Sequence, residues 1–566
     1  MKRFTAALLA VLMLTGCGAK EPADAATESV PAAVIPEPVV QTAAEIPYES
    51  RFDSVTRITL ADAETLVEPA DSQAVFLSND IIYYADKDAY ASGNPYGEGE
   101  AWERHSAGEA EAHTVVNITK PGAYRISGTL SAGQIRVDLG NSAYEDASAV
   151  VELILENADI TCTVAPAILF LNTYECDGNW STDNAKSDVD TSGAGANLIL
   201  EGSNTVSGSH VAKIFKDKEG EKKQWKQDGA IYSYMSMNVY GPGSLDLTAD
   251  NEGLDTELHL TLNGGNISIC SGNDGINTNE DGVSVTTINA GSLTIFAGLD
   301  KEGDGIDSNG YLVINGGTVV SAAHPAADAG LDSDLGSFIN GGTVIAMGST
   351  MDWAESDSQQ VTMNLQFSQQ QKAGSEIVIT REDGTEVCSF ETAGENARNF
   401  SGLILSHPAF AQGDTYHVFI DGVQMAYTGT DVGFGPGGMG RPGGMPSGME
   451  APEGMEMPPD FDPSQMFGGN KPEGFNPGQG FNGEKPEGFT PGQGFNGEMP
   501  EGFNLGQGFN GEMPEGFTPG QGFDGEIPEG FGPGKSFGGQ KEQRGEAQTG
   551  FYMSDKVNAF SGVAAI

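Results

Sequence analysis

From about Val115 to Met351 the chain repeats itself. The run Leu262 to Ile267, reading Leu-Asn-Gly-Gly-Asn-Ile, returns as Ile288 to Leu293, again as Ile314 to Val319 and again as Ile339 to Val344, at steps of 26, 26 and 25 residues. Val239 to Leu245 is an imperfect earlier copy. Interleaved with it is a second motif: Glu252-Gly253-Leu254-Asp255-Thr256, Asp274-Gly275-Ile276-Asn277-Thr278, Asp304-Gly305-Ile306-Asp307-Ser308 and Ala329-Gly330-Leu331-Asp332-Ser333. The units are short alternations of Leu, Ile, Val and Thr broken by Gly, Asn and Asp, which is strand and turn chemistry. No segment between them carries an amphipathic helical stripe, so leucine-rich and helical solenoids are excluded. A propeller blade needs about 40 residues or more, too many for this period. One coil of a parallel β-helix fits it, each coil pairing with the last at about 4.8 Å, and the crossover rule makes the coil right-handed. The expected class is all-β: a right-handed parallel β-helix with a small C-terminal β unit and a disordered Gly/Pro/Phe/Met-rich tail.

The flanks divide the rest. Lys2 and Arg3 precede an apolar run from Phe4 to Leu14, too short to span a bilayer, and Leu14-Thr15-Gly16-Cys17 follows at once. This resembles a bacterial lipoprotein signal with its lipobox, which implies cleavage before Cys17 and a lipid on that cysteine; a plain secretory signal is the alternative. Residues 1–16 are then a signal peptide and 17–47 an Ala-, Pro- and Glu-rich linker. Residues 48–113 form an accessory or capping segment, 114–353 the β-helix and 354–430 a small β unit suited to covering the exposed strand edges of the last coil. Residues 431–550 are a low-complexity tail with a 14-residue step starting at Lys471, Lys485, Met499, Met513 and, loosely, Ile527. Its Gly and Pro content leaves too little apolar surface to offset ordering entropy. Residues 551–566 turn apolar and strand-like again and are expected to return to the folded part. Cys162, Cys176, Cys270 and Cys388 lie in no metal spacing; a Cys162–Cys176 bridge and buried free thiols are the two readings.

Charge has a place in this pattern. The chain carries a formal −52, which excludes a nucleic-acid binder. Between Asp228 and Asp334 stand 16 acidic residues and one basic one, Lys301, and most cluster at the Gly-containing motif. With Leu254, Ile276, Ile306 and Leu331 pointing inward, alternation places Asp255, Asn277, Asp307 and Asp332 outside as a column, and Glu257, Asn279, Asn309 and Asp334 as a second. Carboxylates one coil apart repel by roughly 3 to 4 kcal/mol at an effective dielectric near 20. Calcium, an oxygen-seeking ion, is the expected neutraliser, with Asp255, Asp307, Asp332, Glu252, Asp274, Asn277, Asp304, Asp328 and Asp334 as candidate ligands. Asp and Asn serving only as turn formers is the bland alternative.

Thr114 to Val137, with its Val-x-Ile-x-x-Pro-Gly-x-Tyr-x-Ile-Ser-Gly-Thr-Leu start, and the Asn-Gly-Gly and Gly-Ile-Asp-Ser coils resemble the bacterial surface carbohydrate-binding β-helix family related in architecture to pectate lyases. The resemblance covers about residues 114–425. It implies a calcium-containing, non-catalytic domain that binds polygalacturonate- or cellulose-like polysaccharide, with calcium ligands carried over onto Asp255, Asp307 and Asp332. The insertions around Asn172 to Asn197 and Val211 to Gln227 depart from it. Lys213, Lys216, Lys218, Lys222, Lys223 and Lys226 in the second, offset by Asp217, Glu219 and Glu221, read as a solvated loop. Trp180, Trp225 and Tyr232 are candidates for stacking on sugars or for plain packing. The expected protein is lipid-anchored to the cell membrane, extracytoplasmic, and bound to a uronate-rich or cellulosic polysaccharide. The rivals are a calcium-dependent polysaccharide lyase with Lys301 as base and a structural adhesin without glycan preference.

Overall fold

A computed structural model of the chain describes residues 46–85, 101–215, 224–299, 302–326, 328–349, 352–391, 396–430 and 546–566. These fall in one compact unit; the other unit, Gly443–Gln543, lies outside them, as do Cys17, Lys301 and the 14-residue repeats. The described part is almost entirely β, its one α-helix being Ala107–Glu111.

Strands stack in three parallel columns. One runs through Ala196–Glu201, Met237–Tyr240, Leu260–Leu262, Val285–Ile288, Tyr311–Ile314 and Gly336–Ile339. The second runs through Ser203–Gly208, Ser244–Ala249, Asn266–Ser271, Ser292–Phe296, Thr318–Ala322 and Thr343–Gly348. The third, which carries the acidic motif, runs through Ile168–Asn172, Gly229–Ser233, Glu252–Thr256, Ile276–Thr278, Ile306–Ser308 and Leu331–Ser333. Each strand therefore pairs with its counterpart one repeat later, and the sequence period becomes the coil.

The registers explain the motif residues. Leu245, Ile267, Leu293, Val319 and Val344 are paired in line and buried, as are Leu254, Ile276, Ile306 and Leu331. Burying such a side chain stabilises by about 1.5–3 kcal/mol. The Asn of each Asn-x-Gly turn hydrogen-bonds to its neighbour: Asn289 donates to Asn263, Asn315 to Asn289 and Asn340 to Asn315, each at 2.9 Å. The Gly that follows two positions later, at 265, 291, 317 and 342, has φ between +80° and +90°, a conformation that glycine adopts without steric cost. Ala290 stands between Asn289 and Gly291, so the middle position of that turn accepts a side chain.

The accessory segment pairs with the first coils: Val55–Leu60 runs parallel to Gly122–Leu130, and Val75–Ser78 antiparallel to Thr114–Ile118. At the other end, Phe400–Ser406 pairs antiparallel with both Thr343–Gly348 and Thr362–Gln371. Val557–Ala565 then pairs parallel with Thr362–Gln371. Met363, Leu365, Phe400, Tyr427, Phe551 and Phe560 share one core with Ile345 and Met347 of the last coil. The four described cysteines are free, so the Cys162–Cys176 bridge does not form.

Candidate acidic face

The outward face of the third column changes character along the stack. Leu169 and Tyr232 hold the outward position in its earlier strands, followed in register by Asp255, Asn277, Asp307 and Asp332. The next inward position, Thr256, Thr278, Ser308 and Ser333, is buried and partly self-satisfied, with Thr278 and Ser308 hydroxyls 2.9 Å apart. Another acidic column lies at the entry to each strand: Glu252, the first residue of its strand, and Asp274, Asp304 and Asp328 on the turns before theirs. Adjacent coils tie it to the backbone, since Asp304 N–H donates to Asp274 Oδ1 at 2.7 Å, Ala329 N–H to Asp304 Oδ1 at 2.5 Å and Gly303 N–H to Asp328 Oδ2 at 3.1 Å. Asp328 also faces His324 at 3.6 Å.

The glycine between the columns holds them together. A Cβ on Gly253, Gly275 or Gly305 would stand 2.5 or 2.6 Å from the carbonyl oxygen of the glycine in the next coil. Only glycine lets successive coils approach there, and that approach carries the acidic residues on both sides into contact.

Alternation places Asp255 outside the coil, but the expectation of a solvent-facing column fails at its upper end. Asp255 is fully buried, and Glu252, Asp274 and Asn277 nearly so. Asp307 and Asp332 are half-buried and Asp334 is exposed. Burial raises the pKa of Asp255 and Asp274 well above the usual carboxylate range, reinforced in both by the Glu252 charge. Burial also raises Glu252, and pushes Asp304 to about 8 and Asp307 to about 7, with Asp332 adding repulsion to each. Asp332 and Asp334 are raised in the same direction and for the same first reason.

Three oxygens in this cluster are buried without a hydrogen-bond partner: Glu252 Oε2, Asp255 Oδ2 and Asn277 Oδ1. Glu252 lies within hydrogen-bonding reach of both Asp255 and Asn277, and Asn279 Nδ2 donates to the other Asp255 oxygen at 2.6 Å. Orphaned buried acceptors cost about 1–3 kcal/mol each, and a cation relieves that cost. No three His, Cys, Asp or Glu side chains among the described residues gather as a ready-made metal cage. What converges is two carboxylates and an amide oxygen, an all-oxygen set of the kind calcium accepts.

Sequence reasoning missed one member. Lys226 stands in none of the repeats, yet its Nζ lies 2.8 Å from Asp228 Oδ2. Burial pulls its pKa down, but the charges of Glu252, Asp228 and Asp255 outweigh this and hold the ammonium protonated. The solvated-loop expectation is therefore corrected at Lys226; the alternation of Lys226 with buried Gln227, whose Nε2 donates to the Tyr234 hydroxyl at 3.2 Å, is the signal that marks an ordered strand. Tyr232 is likewise corrected as a sugar platform: it is fully buried and its hydroxyl donates to Glu257. Trp180 is exposed, and the Trp225 side chain lies outside the described residues.

Known proteins share parts of this chain. A carbohydrate-binding domain-containing protein of Acetivibrio thermocellus is 30% identical over 155 residues, which make up 27% of this chain and 44% of that relative. The chain thus spans less than half of that protein's length. A solved structure titled as the polysaccharide lyase-like protein from C. thermocellum, gadolinium derivative, aligns at a TM-score of 0.30 and 20% identity over 51% of this chain and 94% of its own. Residues 112–392, which hold all three columns and the whole acidic face, match the family model described as carbohydrate-binding domain-containing protein.

Proposed function

We propose that this chain is a lipid-anchored, extracytoplasmic protein that binds an acidic, pectin-like polysaccharide without catalysis, through calcium held on the acidic face of a right-handed β-helix capped by residues 354–430 and 551–566. The observation that carries this reading is the trio of orphaned oxygens on Glu252, Asp255 and Asn277, set in a match to a carbohydrate-binding family. Glu252, Asp255 and Asn277 would hold one ion; Asp274, Asp304 and Asp307, with Asp328, Asp332 and Asp334 beyond them, offer further oxygens down the same face. Calcium, when bound, supplies positive charge and open positions that accept uronate carboxylates. The protein's own part is to fix two columns of oxygens at the coil spacing, so that successive rungs match successive charges on an extended polymer.

The lyase reading needs a neutral basic group to take the proton beside a uronate carboxylate. Lys226 is the lysine seen at this face among the described residues, and its neighbours hold it charged, which disfavours it as that base; His324, 3.6 Å from Asp328, is the other basic side chain there. The test is a pull-down of the full chain on polygalacturonate, cellulose and a neutral soluble glycan, with calcium and with chelator. Calcium-dependent capture on polygalacturonate supports the reading; capture on nothing supports a structural adhesin. Growth of ultraviolet absorbance from new double bonds during incubation with polygalacturonate identifies a lyase.

A further inference from the structure

Lys226 brings a positive charge to the edge of the acidic face, where it pairs with Asp228. It arrives from the antiparallel pair Val211–Phe215 and Gln224–Gln227, an insertion between coils rather than part of one. Its Nζ pairs with Asp228 at 2.8 Å, and Glu252 N–H donates to the Asp228 carbonyl oxygen at 3.1 Å, which sets the ammonium's partner directly beside Glu252; the charges of Glu252 and Asp255 act on the ammonium as well. Those last two residues carry two of the three orphaned oxygens, and Asn277, a neutral side chain only 4% exposed, carries the third. The ammonium therefore lowers the charge at this end without completing the hydrogen bonds of these atoms. Its side chain keeps about 40% of its surface accessible, so it has room to withdraw. Farther along the face, Asp274, Asp304, Asp307 and Asp332 have no lysine or arginine partner in an ion pair among the described residues.

We propose that Lys226 is a resident counter-ion at the Glu252–Asp255–Asn277 end of the face, which a divalent cation must displace or outcompete in order to bind there. The chain thereby sets its own metal affinity: two positive species held beside Glu252 and Asp255 repel each other. Lys226 holds the coil together when divalent cation is scarce and yields when it is plentiful.

This proposal rests on the calcium reading above, and its test separates the two. Calcium binding to the full chain is measured by titration calorimetry for the wild type, Lys226→Met and Lys226→Arg, with the melting temperature of each recorded in chelator. Removal of the charge is expected to tighten calcium binding about tenfold or more, while the arginine variant stays near the wild type. It should also lower the melting temperature in chelator, because the face loses its counter-ion. Wild-type binding with K226M unchanged or weaker overturns the proposal and leaves the calcium reading standing. Absence of calcium binding in all three proteins overturns both. Binding by K226M alone is the limiting case of the proposal, in which the lysine excludes the ion. Lys226→Gln repeats the comparison should the methionine variant fold poorly.

Discussion

The carboxyls of Asp304 and Asp307, pushed by burial to about 8 and about 7, hold protons in the folded chain at a pH where the unfolded chain has released them. Asp255, Asp274 and Glu252 are raised in the same direction. A native state that binds more protons than the unfolded one loses stability as pH rises. The carboxyls shifted the other way, Asp62, Asp146, Asp190 and Asp383, are exposed and offset little of this. In chelator the melting temperature should therefore be highest near pH 4 to 5 and fall by about 5 °C or more by pH 8. Asp307→Asn should flatten that fall, and millimolar calcium should reverse it at neutral pH; scanning calorimetry across a pH series measures all three. The columns behind this behaviour are legible in the sequence because alternation fixes which residue points outward. Their burial is not, because it depends on how closely successive coils approach at Gly253, Gly275 and Gly305; nor is the Lys226 counter-charge, which comes from an insertion that carries six lysines and no repeat.

Each coil element depends on a glycine whose reason is steric. A Cβ on Gly305 would stand 1.8 Å from Ser321 Oγ and 2.5 Å from the Gly330 carbonyl oxygen. The hydroxyl can rotate away, but only by giving up its 2.7 Å hydrogen bond to that same carbonyl, and the backbone cannot yield without opening the coil spacing. Gly305→Ala should destabilise by roughly 1–3 kcal/mol, as overpacking does, read from the midpoint of urea unfolding. The Asn-x-Gly element shows the other limit. Its Asn ladder and positive-φ Gly were both visible as a repeated string, since local turn chemistry and the coil period agree there. The accessory strands Val55–Leu60 and Val75–Ser78 were not assignable, because they join the first coils through pairings with residues about 40 to 70 positions away and bear no copy of the motif.

At the scale of the whole molecule, the ends of the long segment outside the described residues meet: Tyr427 and Gln548 exchange both backbone hydrogen bonds at 2.9 Å. Val557–Ala565 is thus built into the same sheet as Thr362–Gln371, with Phe551, Phe560 and Val563 buried in its core. A chain stopped at residue 430 should aggregate or melt far lower, whereas replacing residues 431–545 by a short Gly/Ser linker should preserve the melting temperature within about 2 °C, since closing a shorter loop costs less entropy. The replacement also isolates the electrostatics. Residues from Asp431 onward contribute −12 of the −52, so most of the repulsion between this protein and a polyanion originates before them. In chelator, capture on polygalacturonate should be absent at low salt and no stronger than on a neutral glycan at any salt, because the two charges have the same sign. With calcium, capture should appear at low salt and survive removal of residues 431–545. Asp255→Asn combined with Asp307→Asn should weaken it about tenfold or more while leaving the fold intact in chelator, because those substitutions relieve like-charge repulsion instead of creating a cavity. Capture that persists in chelator, or that disappears with the 431–545 segment, would place the glycan contact outside the acidic face.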